Sequence, residues 1–477
     1  MKQLVNTSNA IYLLTLKTSH KGKSFIGLFA LFLTVLASST VFSQTCPTTD
    51  LIEDPNDFVW TFHPVTANNP EAYYSGTMEV GEVTLNLNNG ETLTTRAYRQ
   101  KGTSYTVPGP TIKMTPGNKY ILRLENTLPY EVLSTSHNVF KDPNAVNIHT
   151  HGLHISGESP GDDVSRVFEG GRGGDFVWDI PADHMGGTFW YHAHHHGSTL
   201  LQVAGGMFGM LLIDDGNDGL PQNVADMEEK ELVIGFLDPT VDGLGGDNLI
   251  QGTLAPSWTV NGLIGGNICI PDNTWEHWRV LIADRGAKLR DVEFGPGLEV
   301  MVLARDGVWR TTAPKELASN ANTLQLTGAS RADFAIRKTG TGSSWIKVGG
   351  NTVATIHTNS SIPDLTVNPY NVDGTSPWSA TRPDYLRDLT GVTNVHTESI
   401  SMGARTVGGS NYGGKFDHHT PNVILPVTDV QEWSLSGNVQ HPFHLHVYHV
   451  QAMEDDRDFE AGEYYDVVAS QMDVRFD

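Results

Sequence analysis

The sequence predicts an all-β protein made of three consecutive Greek-key β-sandwiches, and three observations carry that prediction. Short runs with apolar residues at alternate positions recur, as at Tyr120-Ile121-Leu122-Arg123-Leu124, Glu231-Leu232-Val233-Ile234 and Arg279-Val280-Leu281-Ile282. Alternation of this kind places every second side chain on one face of a strand. Turn-forming clusters such as Val107-Pro108-Gly109-Pro110 and Thr115-Pro116-Gly117-Asn118 separate the runs, and 49 glycines and 24 prolines supply many more. Convincing long helical periods are missing, which leaves the sandwich as the simplest packing of so many short strands.

The elements follow in chain order. Residues 1–43 read as a signal peptide. Lys17, Lys21 and Lys23 form a basic start, Phe25 to Leu36 an apolar run, and Val41-Phe42-Ser43 a cleavage site before Gln44. The apolar run is short of the ~20 residues a membrane span needs, and no second one follows. The mature chain is therefore expected to be exported, secreted or periplasmic, without stable membrane insertion. A first sandwich is predicted over 44–215, ending at the turn cluster Asp214-Asp215-Gly216-Asn217-Asp218-Gly219. A second runs over 226–357. Residues 358–389, rich in Pro, Asn, Asp, Ser and Thr and weak in periodicity, read as a linker. The third sandwich, 390–477, is short against the ~100 residues such a fold uses. Alternation still runs at Val474-Arg475-Phe476, so this domain is expected to be truncated.

Charge narrows the partners. The net charge is −23, and removing 1–43 with its four lysines takes it to −27. A surface that acidic repels nucleic acid and anionic membranes and tolerates metal cations or cationic substrates. The two cysteines, Cys46 and Cys269, have no neighbouring Cys or His at metal-binding spacing. Export would permit a bridge between them, but the sequence leaves the pairing open.

Chemistry concentrates in the 20 histidines. Three clusters share one pattern: Asn147-Ile148-His149-Thr150-His151-Gly152, Phe189-Trp190-Tyr191-His192-Ala193-His194-His195-His196-Gly197 and His441-Pro442-Phe443-His444-Leu445-His446. Each holds a His-x-His, and in a strand such a pair aims two imidazoles into one space. His441, three residues before His444, would face the other way and could serve a second site. Imidazole suits copper, zinc and iron.

In this order and with these flanks, the clusters resemble the first three of the four copper-binding motifs of multicopper oxidases of the laccase-like, three-cupredoxin kind. Val107-Pro108-Gly109-Pro110-Thr111-Ile112 is similar to the family's early turn and strand. Gln202 to Ile213 resembles the strand that closes its first domain, and Trp258-Thr259-Val260-Asn261-Gly262 the opening of its second. The resemblance implies three cupredoxin-like domains and about four copper ions of types 1, 2 and 3. By motif position, His149 and His444 would hold the type 2 copper. His151, His192, His194 and His446 would hold the type 3 pair, and His441 would be one type 1 ligand. The middle domain would supply no ligand. The implied reaction couples one-electron oxidation of a phenol, aromatic amine or metal ion to four-electron reduction of dioxygen to water.

The family's fourth motif, His-Cys-His with a following His and an axial Met or Leu, is not found in this sequence. Tyr464-Tyr465-Asp466 and Val474-Arg475-Phe476 resemble the strands just before it. The chain as given is therefore expected to lack the type 1 thiolate and its blue colour, and to be inactive as an oxidase. The alternative, if the chain truly ends at Asp477, is a non-catalytic exported cupredoxin scaffold or a copper-binding protein. Asp162 and Asp163, in a Gly/Pro-rich loop after the first motif, are candidate proton relays, with turn formation as the competing role. His154, His195, His196 and His449 are expected to support the site rather than ligate, and His418-His419 to sit in a loop.

Overall fold

Each alternating run named above lies within a strand of the computed structural model. The structure describes residues 46–136, 139–244, 250–286, 288–317, 322–340, 342–359, 361–403, 406–409, 413–414, 425, 430–437 and 442–477. The signal segment predicted over 1–43, His441 and His418-His419 lie outside the described residues. In Lys119–Asn126 the pattern works as expected: Tyr120, Leu122, Leu124 and Asn126 are buried and the intervening residues are not.

Two sheets form the first part of the chain. One lays Thr92–Gln100, Tyr73–Asn86, Lys119–Asn126 and Gly173–Asp179 side by side; the other runs in the order Ile112–Met114, Phe208–Ile213, Gly187–His192, His149–His151. Leu122, Leu124, Phe176 and Trp178 from the first meet Ile112, Phe189, Tyr191 and Leu211 from the second in one buried cluster. The second sheet is covered on its other face as well. There Trp190, Phe208, Met210 and Leu212 pack with Val233, Leu237, Leu281 and Ala283 of the middle of the chain. This double burial explains why Gly187–His192 has no exposed residue.

The middle of the chain repeats the plan. One sheet runs Ser257–Val260, Glu228–Leu237, Glu276–Ala283, Arg331–Lys338, Leu298–Arg305, Val308–Trp309. Its partner runs Gly266–Pro271, Asn351–Asn359, Ser344–Val348, Arg290–Phe294, Thr323–Leu326. Glu276–Ala283 again divides its faces by alternation. Trp278, Val280 and Ile282 enter the core between the two sheets, whereas Leu281 and Ala283 join the cluster shared with the first part. His277 and Arg279, in the same phase as Leu281, are buried there too. Arg279 reaches Asp215, Glu229 at 2.6 Å and Asp333 at 3.1 Å. Isolated buried charge would be costly, and these partners remove most of that cost.

In the last part, Val395–Gly403, Val430–Ser436, Asp473–Phe476, Val450–Ala452 and Tyr464–Tyr465 are neighbours in one sheet, and Phe443–His444 pairs with Val467–Val468. Trp433, Phe443, Tyr465, Val474 and Phe476 share a core. The sequence readings need correction in two places. Gln202 to Ile213 is not one strand: Thr199–Ala204 is a short helix, and the strand begins only at Phe208. Of the stretch 358–389 read as a linker, Thr358 and Asn359 still belong to the strand Asn351–Asn359, and residues 361–389 are packed. Trp378, Leu386 and Leu389 are buried, and Trp378 lies 5.7 Å from Trp309. Cys46 and Cys269 are joined in a disulfide that closes a sequence separation of 223 residues. Among the described residues, no helix is long and apolar enough to cross a membrane.

Candidate metal centre

Register builds the histidine cluster. His149 lies opposite His192 and His151 opposite Trp190 in adjacent antiparallel strands. Cross-strand partners share a face, and here it is the face turned away from the first core. His444 closes the group from the last part of the chain, where its strand ends. Only the first His-x-His lies wholly within a strand, because His194 and His446 follow the last strand residues His192 and His444. The rings still converge. Ring centroids are 5.6 Å apart for His149 and His151, 5.5 Å for His192 and His194, and 5.0 Å for His444 and His446. Across the segments, His149 stacks on His446 at 4.1 Å, His151 stacks on His444 at 3.6 Å, and His194 meets His446 at 4.9 Å.

Six of the seven histidines singled out in the sequence therefore meet in one place; His441 is the one outside the described residues. Ligand atoms of His149, His151 and His192 lie within 4.8 Å of one another, as do those of His149, His444 and His446. The same holds for His151, His444 and Asp466. These groupings share the residues of the type 2 and type 3 assignment but divide them differently.

Burial sets the chemistry of the rings. It pushes His149, helped by His446 and His194, and His151, helped by His444, far below the usual imidazole range. It takes His194 to about 4 and His446 to about 2, and it lowers His192 and His444 as well. All six are thus neutral near pH 7, the form that binds a metal. Tautomers are set by the second ring nitrogen: His192 Nδ1 donates to the Ala193 carbonyl at 2.9 Å, and His444 Nδ1 to the Asp466 carbonyl at 2.7 Å. Nε2 of His149, Nε2 of His444 and both ring nitrogens of His151 are buried without a hydrogen-bond partner. Such atoms each cost about 1–3 kcal/mol, and a metal ion would satisfy several at once. The donor set is nitrogen-rich and fits copper.

The two aspartates part company. Asp162 is buried; it accepts His149 Nδ1–H at 2.7 Å and the Thr150 amide at 2.8 Å. Burial pushes its carboxyl well above the usual range, with the Thr150 amide pulling the other way. Asp163 instead accepts the Ser165 amide at 3.0 Å and hydroxyl at 2.6 Å, which is turn formation. Three of the neighbouring histidines make contacts of their own. His154 stacks on Tyr385 at 4.1 Å, His195 lies 3.4 Å from Asp142, and His449 Nε2 donates to the Asp306 carbonyl at 2.9 Å.

Two charged residues complete the site: Asp466, which the sequence suggests as a hydrogen-bond acceptor for a ligand or reducing substrate, and Arg331, which the sequence does not single out. Asp466 sits 3.6 Å from His151 Nε2, and Arg331, from the middle of the chain, grips its carboxylate. Burial would raise the Asp466 carboxyl, but Arg331 and then His151 outweigh it and hold it well below the usual range. Arg331 opens the strand Arg331–Lys338, which carries three other charged residues, and Asp466 falls between Tyr464–Tyr465 and Val467–Val468, so position alone marks neither. A cavity of about 380 Å³ opens onto His151, His192, His194 and His444, walled in part by Trp190 and Leu200.

Comparison with known proteins finds a family match over part of the chain and a fold match over most of it. A family profile described as multicopper oxidase matches residues 89–218. A multicopper oxidase of Staphylococcus aureus is 30% identical over 163 residues, covering 32% of this chain and 33% of that protein. Laccase-2 of Cryptococcus neoformans var. grubii is 29% identical over 129 residues, covering 27% of this chain and 18% of that laccase. The matched segments thus span a third or less of these curated relatives. In fold the likeness is broader. The multicopper oxidase of Pediococcus acidilactici superposes with a TM-score of 0.65 at 18% identity, over 91% of this chain and 86% of that one. A Campylobacter jejuni multicopper oxidase gives 0.63 at 17% identity, over 90% and 89%. Residues 89–218 thus carry the sequence signature of a multicopper oxidase, and nine-tenths of the chain shares the fold of solved multicopper oxidases.

Proposed function

We propose that the protein is a copper-dependent oxidoreductase that couples one-electron oxidation of a small reducing substrate to the four-electron reduction of dioxygen to water. The supporting observation is the convergence of His149, His151, His192, His194, His444 and His446 with buried, unpartnered ring nitrogens. His149 and His444 would hold one copper, and His151, His192, His194 and His446 a pair. Copper, when bound, would supply the electron-transfer chemistry and the binding of oxygen. The chain's own groups would position and protect that chemistry. Asp162, whose carboxyl burial pushes upward, would orient His149 and hold or pass a proton at its Nδ1. The cavity beside Trp190 and Leu200 would admit a small molecule such as dioxygen to the rings. Asp163 is the weaker relay candidate because Ser165 occupies its carboxylate.

Three cupredoxin-like domains, over 44–215, 226–357 and 390–477, and removal of 1–43 on export complete the proposal. The Cys46–Cys269 bridge supports an oxidising compartment. Phenols, aromatic amines and low-valent metal ions are the proposed reductants. A second reading is copper binding without turnover. It is favoured by one observation: both cysteines are consumed in the disulfide, so these 477 residues offer no thiolate for a type 1 centre. Copper loading followed by oxygen-electrode assays with a phenol, an aromatic amine and ferrous ion separates the two. Uptake of oxygen with substrate oxidation supports the oxidase; bound copper with no oxygen uptake supports the second reading.

A further inference from the structure

We infer that the buried ion pair between Arg331 and Asp466 is a positioning clamp that sets His151 and His444 face to face for metal binding. The inference rests on the metal-centre reading above and extends it to a residue of the middle of the chain, which supplies no ligand.

Arg331 has no rotational freedom left. Its side chain is fully buried, and all five of its N–H donors are used. Nη1 donates to Asp466 Oδ1 at 2.8 Å and to the Ala329 carbonyl at 3.0 Å; Nη2 donates to Asp466 Oδ2 at 2.5 Å and to the Asp306 carbonyl at 2.9 Å. Nε donates to the Thr188 carbonyl at 3.1 Å. A fork satisfied at every position has one orientation, and it fixes the carboxylate plane it grips.

Asp466 transmits that orientation to two rings. Its Oδ1 lies 3.6 Å from His151 Nε2, and its main-chain carbonyl accepts His444 Nδ1–H at 2.7 Å. The two rings stack at 3.6 Å with planes 9° apart. Both carboxylate oxygens are already engaged by Arg331, so Asp466 is placed to orient ligands rather than to be one. A separate observation ties the clamp to the first His-x-His. Gly152 has φ +92°, and a Cβ there would fall 2.4 Å from Asp466 Oδ2 and 2.6 Å from Arg331 Nη2. The backbone after His151 is thus pressed against the ion pair, an approach open to glycine.

The test uses the purified full chain and copper alone, with three variants. R331K keeps the charge but cannot reproduce the fork. R331M/D466L removes both charges together, so no buried charge is stranded. R310M breaks a different inter-segment ion pair, to Glu460 at 2.8 Å, which touches none of these rings. Readouts are copper affinity by competitive titration, the Cu(II) paramagnetic resonance spectrum and the melting temperature of the metal-free protein. Loss of a ligand-orienting partner is expected to weaken copper binding 10- to 100-fold. R331K and R331M/D466L should show that loss and a changed spectrum, with metal-free melting close to the parent, whereas R310M should bind copper as the parent does. If the double variant does not fold, R331K decides alone. Affinity within twofold of the parent and an unchanged spectrum in R331K would overturn the clamp, as would an equal loss in R310M. A parent chain that binds no copper would overturn the metal-centre reading itself, and the clamp with it.

Discussion

Replacing Asp162 with alanine should weaken copper binding 10- to 100-fold and also cost stability in the metal-free protein. The carboxylate serves two buried donors, His149 Nδ1 at 2.7 Å and the Thr150 amide at 2.8 Å. His149 and Thr150 are each 1% exposed, so water cannot replace the lost acceptor. Each stranded donor costs about 1–3 kcal/mol, and the pair roughly 2–4 kcal/mol, because the carboxyl itself no longer has to be buried. The copper effect is separate: a ligand that loses its orienting partner drops 10- to 100-fold in affinity, or about 1.4–2.7 kcal/mol. Asp162→Asn should fall between, since its side chain has one acceptor oxygen for two donors. Guanidinium unfolding of the metal-free protein measures the first term, and competitive copper titration the second. Copper affinity in Asp162→Ala within twofold of the parent would refute the reasoning, because His149 would then be oriented without its carboxylate.

Three further outcomes are expected. His277 is pushed down by burial and by Arg279, but hydrogen bonds to Asp333 at 3.0 Å and Glu229 at 3.4 Å outweigh both and raise it above 6.5. Its contribution to stability should be complete below pH 6.5 and lost as pH rises through the folded-state value. His277→Gln should accordingly flatten the dependence of unfolding midpoint on pH above 6.5. Cys269→Ser opens a loop with a sequence separation of 223 residues and should cost up to about 5 kcal/mol of unfolding free energy by the chain-entropy relation. Chemical denaturation with and without reductant checks that. Gly152→Ala should lower copper affinity at least as much as Asp162→Ala, since the added Cβ collides with Asp466 and Arg331; copper titration of the refolded variant reads it.

The sequence carried the local chemistry well and the long-range chemistry poorly, for a physical reason. Alternation at residues 120–124 and 279–282 marks strands because a half-buried strand repeats every two residues. The His-x-His motifs could be read because their partners are two residues away. The stacking of His149 on His446, some three hundred residues apart, came only by resemblance to a known family, since nothing in either segment specifies the other. Arg331 lacked even that support, and Asp466 could be read only as an acceptor for some ligand or substrate: a charged residue does not say which distant partner it meets. The helix Thr199–Ala204 was misread because a six-residue apolar segment is too short to separate a helical period from a strand's. Packing of 361–389 was missed because buried Trp378 and Leu389 are single anchors in a polar stretch, without periodicity to announce them.

The central claim is that histidine nitrogens of three distant segments hold copper together. Cu(II) titration of the metal-free protein, followed by paramagnetic resonance, tests it most directly. The account predicts tightly retained copper with hyperfine structure from coordinated imidazole nitrogen, lost when His149 and His444 are replaced together. Copper that washes off, or a spectrum indifferent to those two replacements, would contradict it.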